Sequence, residues 1–378
     1  MNLSKRLASI FLIDNLVIRE IMRSNTAVLC LCLLSSVQLY GCGGGGSGGN
    51  NSGTSAPGNL YPNISVRADN TAMNPASYCY NTNSKFRTDH FIIGSKGSVS
   101  DAKMQEIARV AQNTFENDLA KFSWDAWSDL GVSYSKPLEV CVIASEGANG
   151  AGNELGFVIG PDRSGSNLDK LVQHELKHTY QARFIGPTGL NDAHVWFAEA
   201  VATFLSTNET VNAASLNAFI SQTGMTPTQV THDGLQEGVM MRLSDKSTEY
   251  GAYNMALRYL QTQGASVQDF WEVFKTMKLI EKSCKTDHQK AIDNHEMVNP
   301  IDEKSTSCTG NANVYSTGAT QWNGVIISGS IEDHIVGKSE PGKSKFHAAF
   351  DYVMNAHSVT YDGIDDVAAF RSTVMNGM

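Results

Sequence analysis

Two histidines four residues apart, with a glutamate directly after the first, can share one metal ion when the backbone that carries them is an α-helix. His174-Glu175-Leu176-Lys177-His178 is such a segment. Positions i and i+4 project from one helix face a turn apart, so both imidazoles can reach a common Zn²⁺, and Glu175 lies close enough to a metal-bound water to take its proton. The flanking residues favour the helix: Leu168, Leu171, Val172, Leu176 and Tyr180 recur at helical spacing, which predicts a helix over Asn167–Phe184.

A catalytic zinc takes three protein ligands and keeps a fourth position for water, so a third donor should come from another segment. Downstream, Ala193, Phe197, Val201, Phe204 and Leu205 mark a second helix over Ala193–Thr207, and Glu199 is the one carboxylate in the apolar stretch from Ala193 to Ser206. A carboxylate buried without a partner is costly, and a zinc ion shared with His174 and His178 is an obvious partner.

Around these helices the pattern is strands first and helices later. Lys85–Gly94, Leu138–Ala144 and Gly156–Gly160 read as strands, with a helix over Asp101–Ser123 capped by Ser100 between the first two. Helices are expected at Ala213–Thr223, Glu249–Gln263 and Ser266–Lys282, and, after a weaker stretch beyond Cys308, at Lys345–Ala356 and Asp365–Asn376. This order argues for an α+β fold. The other histidines are bland: His295-Glu296 lacks a second histidine because position 299 is Asn, His288 and His295 fall in a charged, solvated stretch Lys285–Glu303, and His334, His347 and His357 have no partner at ligand spacing.

HExxH followed some twenty residues on by Glu199 on a second helix resembles the gluzincin pattern. Within it the chain looks most like the bacterial collagenase catalytic domain: His174–Phe184, HELKHTYQARF, is similar to its HEYxHYLxGRF, and Val195–Ala202, VWFAEAVA, to its VWWxEGLAE. The resemblance covers roughly Leu138–Gln263. It implies a zincin, thermolysin-like fold with a small β-sheet lobe and a mainly helical second lobe, one Zn²⁺ per chain, Glu175 as general base and protein or peptide substrates. It also implies that Asn153–Val158 is the edge strand that aligns substrate, with Gly156 and Phe157 as binding residues, and that Tyr250 or Tyr253 donates to the oxyanion, His232 being a weaker rival. The aminopeptidase motif GxMEN is absent, which tilts the expectation to an endopeptidase with an aminopeptidase as the alternative. The family's Gly after the ligand Glu is Ala200, and an acidic residue four positions beyond it is Thr203. Calcium is therefore unassigned, and an inactive adhesion or scaffold protein on the same fold stays open.

The N-terminal part points to export. Ala27–Tyr40 is an apolar run too short to span a bilayer and suited to a signal peptide, and Gly43–Gly58 is a glycine-rich tether. Between them Leu39-Tyr40-Gly41-Cys42 resembles a lipobox, so residues 1–41 are expected to be a signal region and Cys42 to be lipidated. Met1–Ile21 carries Asp14 and Glu20, unlike the start of a signal, and translation is expected to begin at Met22. A lipid anchor in a bacterial envelope membrane follows, the outer one in a Gram-negative cell because Gly43 succeeds the cysteine. Residues 42–58 then form the tether, 59–310 the peptidase domain and 311–378 a C-terminal extension that could shape or cover the cleft. Of the cysteines, Cys79, Cys141, Cys284 and Cys308 remain for disulfides; the connectivity is open, and sequence order favours Cys79–Cys141 with Cys284–Cys308. With 29 Lys+Arg against 38 Asp+Glu, a net charge of −9, a general grip on nucleic acid is not expected.

Overall fold

The fold is mixed α+β. The computed structural model describes residues 60–186, 190, 193–207, 213–229, 246–293, 320–323, 325–327 and 344–376. One sheet is built from β1 (Arg67–Ala68), β2 (Phe86–Arg87), β3 (Phe91–Lys96), β4 (Leu138–Ile143), β5 (Gly150–Asn153) and β6 (Gly156–Ile159), in the order β1-β2-β3-β4-β6-β5. Its centre is parallel, β3 with β4 and β4 with β6, and its margins are antiparallel. A parallel neighbour requires a crossover. Between β3 and β4 this is α1 (Asp101–Phe122), whose first turn is capped by Ser100 Oγ accepting from the Lys103 amide at 3.2 Å.

Alternation along the central strands gives the sheet two apolar faces. On one, Ile93, Val140 and Phe157 are neighbours in register, and Phe91 sets its ring edge-on to Phe115 of α1 at 5.6 Å. On the other, Ile92, Cys141, Ala151 and Val158 pack with Met73 and Cys79 of the lead-in segment. Cys79 and Cys141 are joined there by a disulfide, as the order of cysteines suggested. Cys308 and the side chain of Cys284 lie outside the described residues, as do Cys42, the signal region and the tether.

After the sheet comes α2 (Gly165–Ile185), then α3 (Val195–Thr207), α4 (Ala213–Thr223), α5 (Lys246–Thr262) and α6 (Val267–Asp293). A small antiparallel hairpin, β7 (Thr320–Trp322) with β8 (Val325–Ile327), precedes α7 (Lys345–Ala356) and α8 (Val367–Asn376). Four aromatics fix α2 against α6: Trp124 lies 5.0 Å from both Phe184 and Trp271 and 5.5 Å from Tyr180. Such pairs add about 0.5–1.5 kcal/mol each beyond their burial. Lys177, fully buried on α2, reaches Asp118 of α1 at 2.5 Å, and the Tyr180 hydroxyl donates to the same carboxylate at 3.1 Å.

Three expectations need correction. The segment Asn153–Val158 is not one edge strand. Asn153 Oδ1 accepts from the amides of Leu155 and Gly156 at 3.0 and 3.2 Å, turning the chain back so that β5 is outermost and β6 is interior. A Cβ on Gly156 would fall 1.9 Å from the Glu139 carbonyl oxygen, so only glycine closes this turn. The helix expected over Ser266–Lys282 does not stop at Lys282, because α6 continues to Asp293: Lys, Gln and Ala are good helix formers and no Gly or Pro interrupts them. Finally, residues 345–376 are not an appendage to the helical half. Phe346 and Phe350 are fully buried against Trp196 and Phe197 of α3, and Phe370 of α8 stacks on Tyr259 of α5 at 5.2 Å. No helix among the described residues is long and apolar enough to cross a membrane.

Candidate metal centre

His174 and His178 stand one turn apart on α2, both buried, with their Nε2 atoms 3.0 Å from each other. From α3, Glu199 Oε2 lies 3.3 Å from His174 Nε2 and 3.5 Å from His178 Nε2. A tetrahedral ion with bonds of about 2.05 Å requires its ligand atoms to be about 3.3 Å apart. The observed triangle has those dimensions, so the three side chains could bind one metal ion with no rearrangement beyond a few tenths of an ångström. Among the described residues no second group of three or more such donors occurs.

The support around the ligands is specific. His178 Nδ1 pairs with Gln181 Oε1 at 2.9 Å, which leaves Nε2 as the metal-facing lone pair once Nδ1 carries the proton. Gln181 Nε2 in turn donates to the Ala198 carbonyl at 2.8 Å, tying α2 to α3 one residue before Glu199. Thr179 Oγ1 donates to the Gly156 carbonyl at 2.9 Å and so anchors the motif to β6.

Burial sets the protonation pattern. Burial lowers the His174 imidazole below its usual range. For His178 burial also works downwards, but the Glu199 charge and hydrogen bond beside it prevail and the imidazole is raised. Glu199 is correspondingly held low: burial opposes ionisation, and the two imidazoles overcome it. Glu175 differs. Burial drives its carboxyl up to about 8, against the opposing pull of His178, and neither of its oxygens has a hydrogen-bond partner.

Strand β5 lies directly on this motif. A Cβ on Gly150 would fall 2.7 Å from Glu175 Cγ, and one on Gly152 would fall 2.5 Å from the Glu175 carbonyl oxygen and 2.8 Å from His178 Cβ. Sequence reasoning passed over these glycines; their alternation in Gly150-Ala151-Gly152 is the signal that could have found them. Gly156 and Phe157, expected to bind substrate, are instead interior: Gly156 closes the hairpin and Phe157 is fully buried in the core. Of the two candidate tyrosines on α5, Tyr250 is the one next to the cluster, its ring 6.1 Å from that of His174. Tyr253 is fully buried and its hydroxyl donates to Glu249 Oε1 at 3.3 Å. His232 lies outside the described residues. Searches of protein-family models, of characterised proteins and of solved structures found no match to this chain.

Proposed function

We propose that the chain is a zinc-dependent metallopeptidase of the gluzincin type, cleaving within protein or peptide chains. The observation that carries this reading is the triangle of His174, His178 and Glu199 with the buried, unpartnered carboxylate of Glu175 beside it. Two imidazoles and one carboxylate on facing helices suit zinc in a catalytic rather than a structural site, since three protein donors leave a position open. The order of elements, sheet, then ligand helix, then glutamate helix, is compatible with a zincin fold, and the antiparallel outer strand β5 offers a main-chain edge along which a substrate could be aligned.

A bound zinc ion would supply Lewis acidity towards the scissile carbonyl and its attacking water. The chain's own groups do the rest. Glu175 accepts a proton from that water and returns it to the leaving amine. Glu175 has to enter the reaction as the carboxylate, and the His178 charge beside it already opposes the burial that raises its carboxyl. Tyr250, at the margin of the cluster, is placed better than Tyr253 to donate to the carbonyl oxygen as it gains charge.

The Cys79–Cys141 bond suits an oxidising compartment, which supports export, and with the signal-like run before Cys42 we infer a lipoprotein of the bacterial envelope. The test is a broad peptide library. Hydrolysis is expected to stop on chelation, return with zinc, and fall about 10²–10⁴-fold in Glu175→Gln. Cleavage of peptides with blocked N-termini separates an endopeptidase from an aminopeptidase. Hydrolysis that ignores the chelator sinks the proposal, and bound metal without any hydrolysis favours the inactive scaffold.

A further inference from the structure

The three ligands reach the site by different means. His174 and His178 belong to one helix, so their separation is fixed by helical geometry alone. Glu199 comes from α3, and its position depends on what α3 packs against. On the side facing α2, Gln181 holds the Ala198 carbonyl. Elsewhere α3 packs on α5, Phe197 meets Phe274 and Phe270 of α6 at 5.2 and 6.1 Å, and further rings come from the far end of the sequence.

Phe197, two residues before Glu199, has Phe346 and Phe350 of α7 at 5.4 and 5.9 Å. Trp196 meets the same two rings at 6.5 and 6.3 Å. His194, whose carbonyl accepts the amides of Phe197 and Ala198 at the start of α3, lies 4.9 Å from Phe346 and 4.8 Å from His347. All of these side chains are buried. The helix that supplies the rings is itself held: Ser344 Oγ accepts from the His347 amide at 3.2 Å as its cap, and Lys345 reaches Glu281 of α6 at 3.4 Å in the interior.

We infer that α7 is a positioning element for the third ligand, with Phe346 and Phe350 as positioning residues that help to hold α3 where Glu199 meets the two histidines. This rests on the reading of His174, His178 and Glu199 as metal ligands and goes beyond it, because it makes metal affinity depend on a segment far from the motif in sequence. Outer groups that orient ligands typically govern metal affinity by about 10–100-fold. A displacement of α3 relative to α2 leaves the histidine pair intact and carries the carboxylate away from it.

The experiment is a double-mutant cycle read by zinc competition titration and by the visible spectrum of the cobalt-loaded full chain, without any activity assay. Phe350→Ala is expected to weaken metal binding about tenfold or more in the parent protein, Phe350→Leu to restore most of it, and Tyr352→Ala, on the exposed side of the same helix, to change nothing. In a Glu199→Ala background Phe350→Ala is expected to have almost no further effect, because the ligand it positions is gone. A loss of equal size in both backgrounds, or unchanged affinity in Phe350→Ala, overturns the inference. A parent protein that binds neither metal overturns the metal-site reading itself. Should Phe350→Ala unfold the helical half, Phe346→Leu run through the same cycle gives the milder perturbation.

Discussion

At the scale of single residues, the site divides into groups that announce themselves and groups that do not. His174, Glu175 and His178 are legible because their relation is local, a fixed spacing on one helix, and Glu199 because a lone carboxylate in an apolar stretch demands a partner. At 150 and 152 the alternation of glycine marks a spacing, but the reason for it lies in the Glu175 side chain and the α2 backbone arriving from elsewhere in the chain. That difference is testable. Gly150→Ala places a methyl 2.7 Å from Glu175 Cγ, a side chain with some freedom to yield, whereas Gly152→Ala meets the Glu175 carbonyl at 2.5 Å. We expect Gly150→Ala to cost about 1–3 kcal/mol of stability, with a sharp fall in hydrolysis as Glu175 is displaced, and Gly152→Ala to cost more. Denaturant titration beside peptide hydrolysis measures both; a Gly152→Ala protein of undiminished stability contradicts the packing.

Among elements, most helices are recoverable from periodicity, and α7 begins and ends where apolar spacing places it, at Lys345 and Ala356. What misleads is the boundary between β5 and β6. A run rich in glycine reads as one strand plus loop, and only the Asn153 side-chain turn reveals that it folds back, which moves the outer edge of the sheet from the expected 153–158 to 150–153. The length of α6 is underestimated for the opposite reason, because charged residues suggest solvent while still favouring helix. The junction of α1 with α2 carries a prediction of its own. Asp118→Asn leaves the fully buried Lys177 ammonium without its carboxylate, and stranding one member of a buried pair costs about 3–5 kcal/mol. Urea unfolding is expected to show that loss. Replacing both partners, Asp118→Leu with Lys177→Met, is expected to recover much of it.

For the molecule as a whole, the α+β order of elements is legible and the closure of the fold is not. A reading by segments leaves 311–378 outside the peptidase domain, since nothing in the sequence says that Phe346 and Phe350 bury themselves against Trp196 and Phe197, some 150 residues earlier. Long-range closure also gives the Cys79–Cys141 bond its weight. It joins positions separated by 62 residues, and constraining an unfolded loop of that size is worth about 4 kcal/mol on chain-entropy grounds. The Cys79→Ala, Cys141→Ala double variant is therefore expected to unfold at markedly lower denaturant with zinc affinity in the folded protein little changed, the bond lying on the sheet face opposite the ligand helix. A variant of parental stability contradicts this.

The strand laid against α2 has a further consequence for how the sequence can drift. On the side that meets the motif it presents hydrogens only, so two positions with nothing to ionise, ligate or donate are as closed to substitution as the proposed metal ligands. A saturation scan scored on metal-dependent activity is expected to show Gly150 and Gly152 as depleted as His174 and His178, while Ala151 between them, turned to the opposite face, accepts other small side chains. Tolerance in this region follows clearance rather than chemistry.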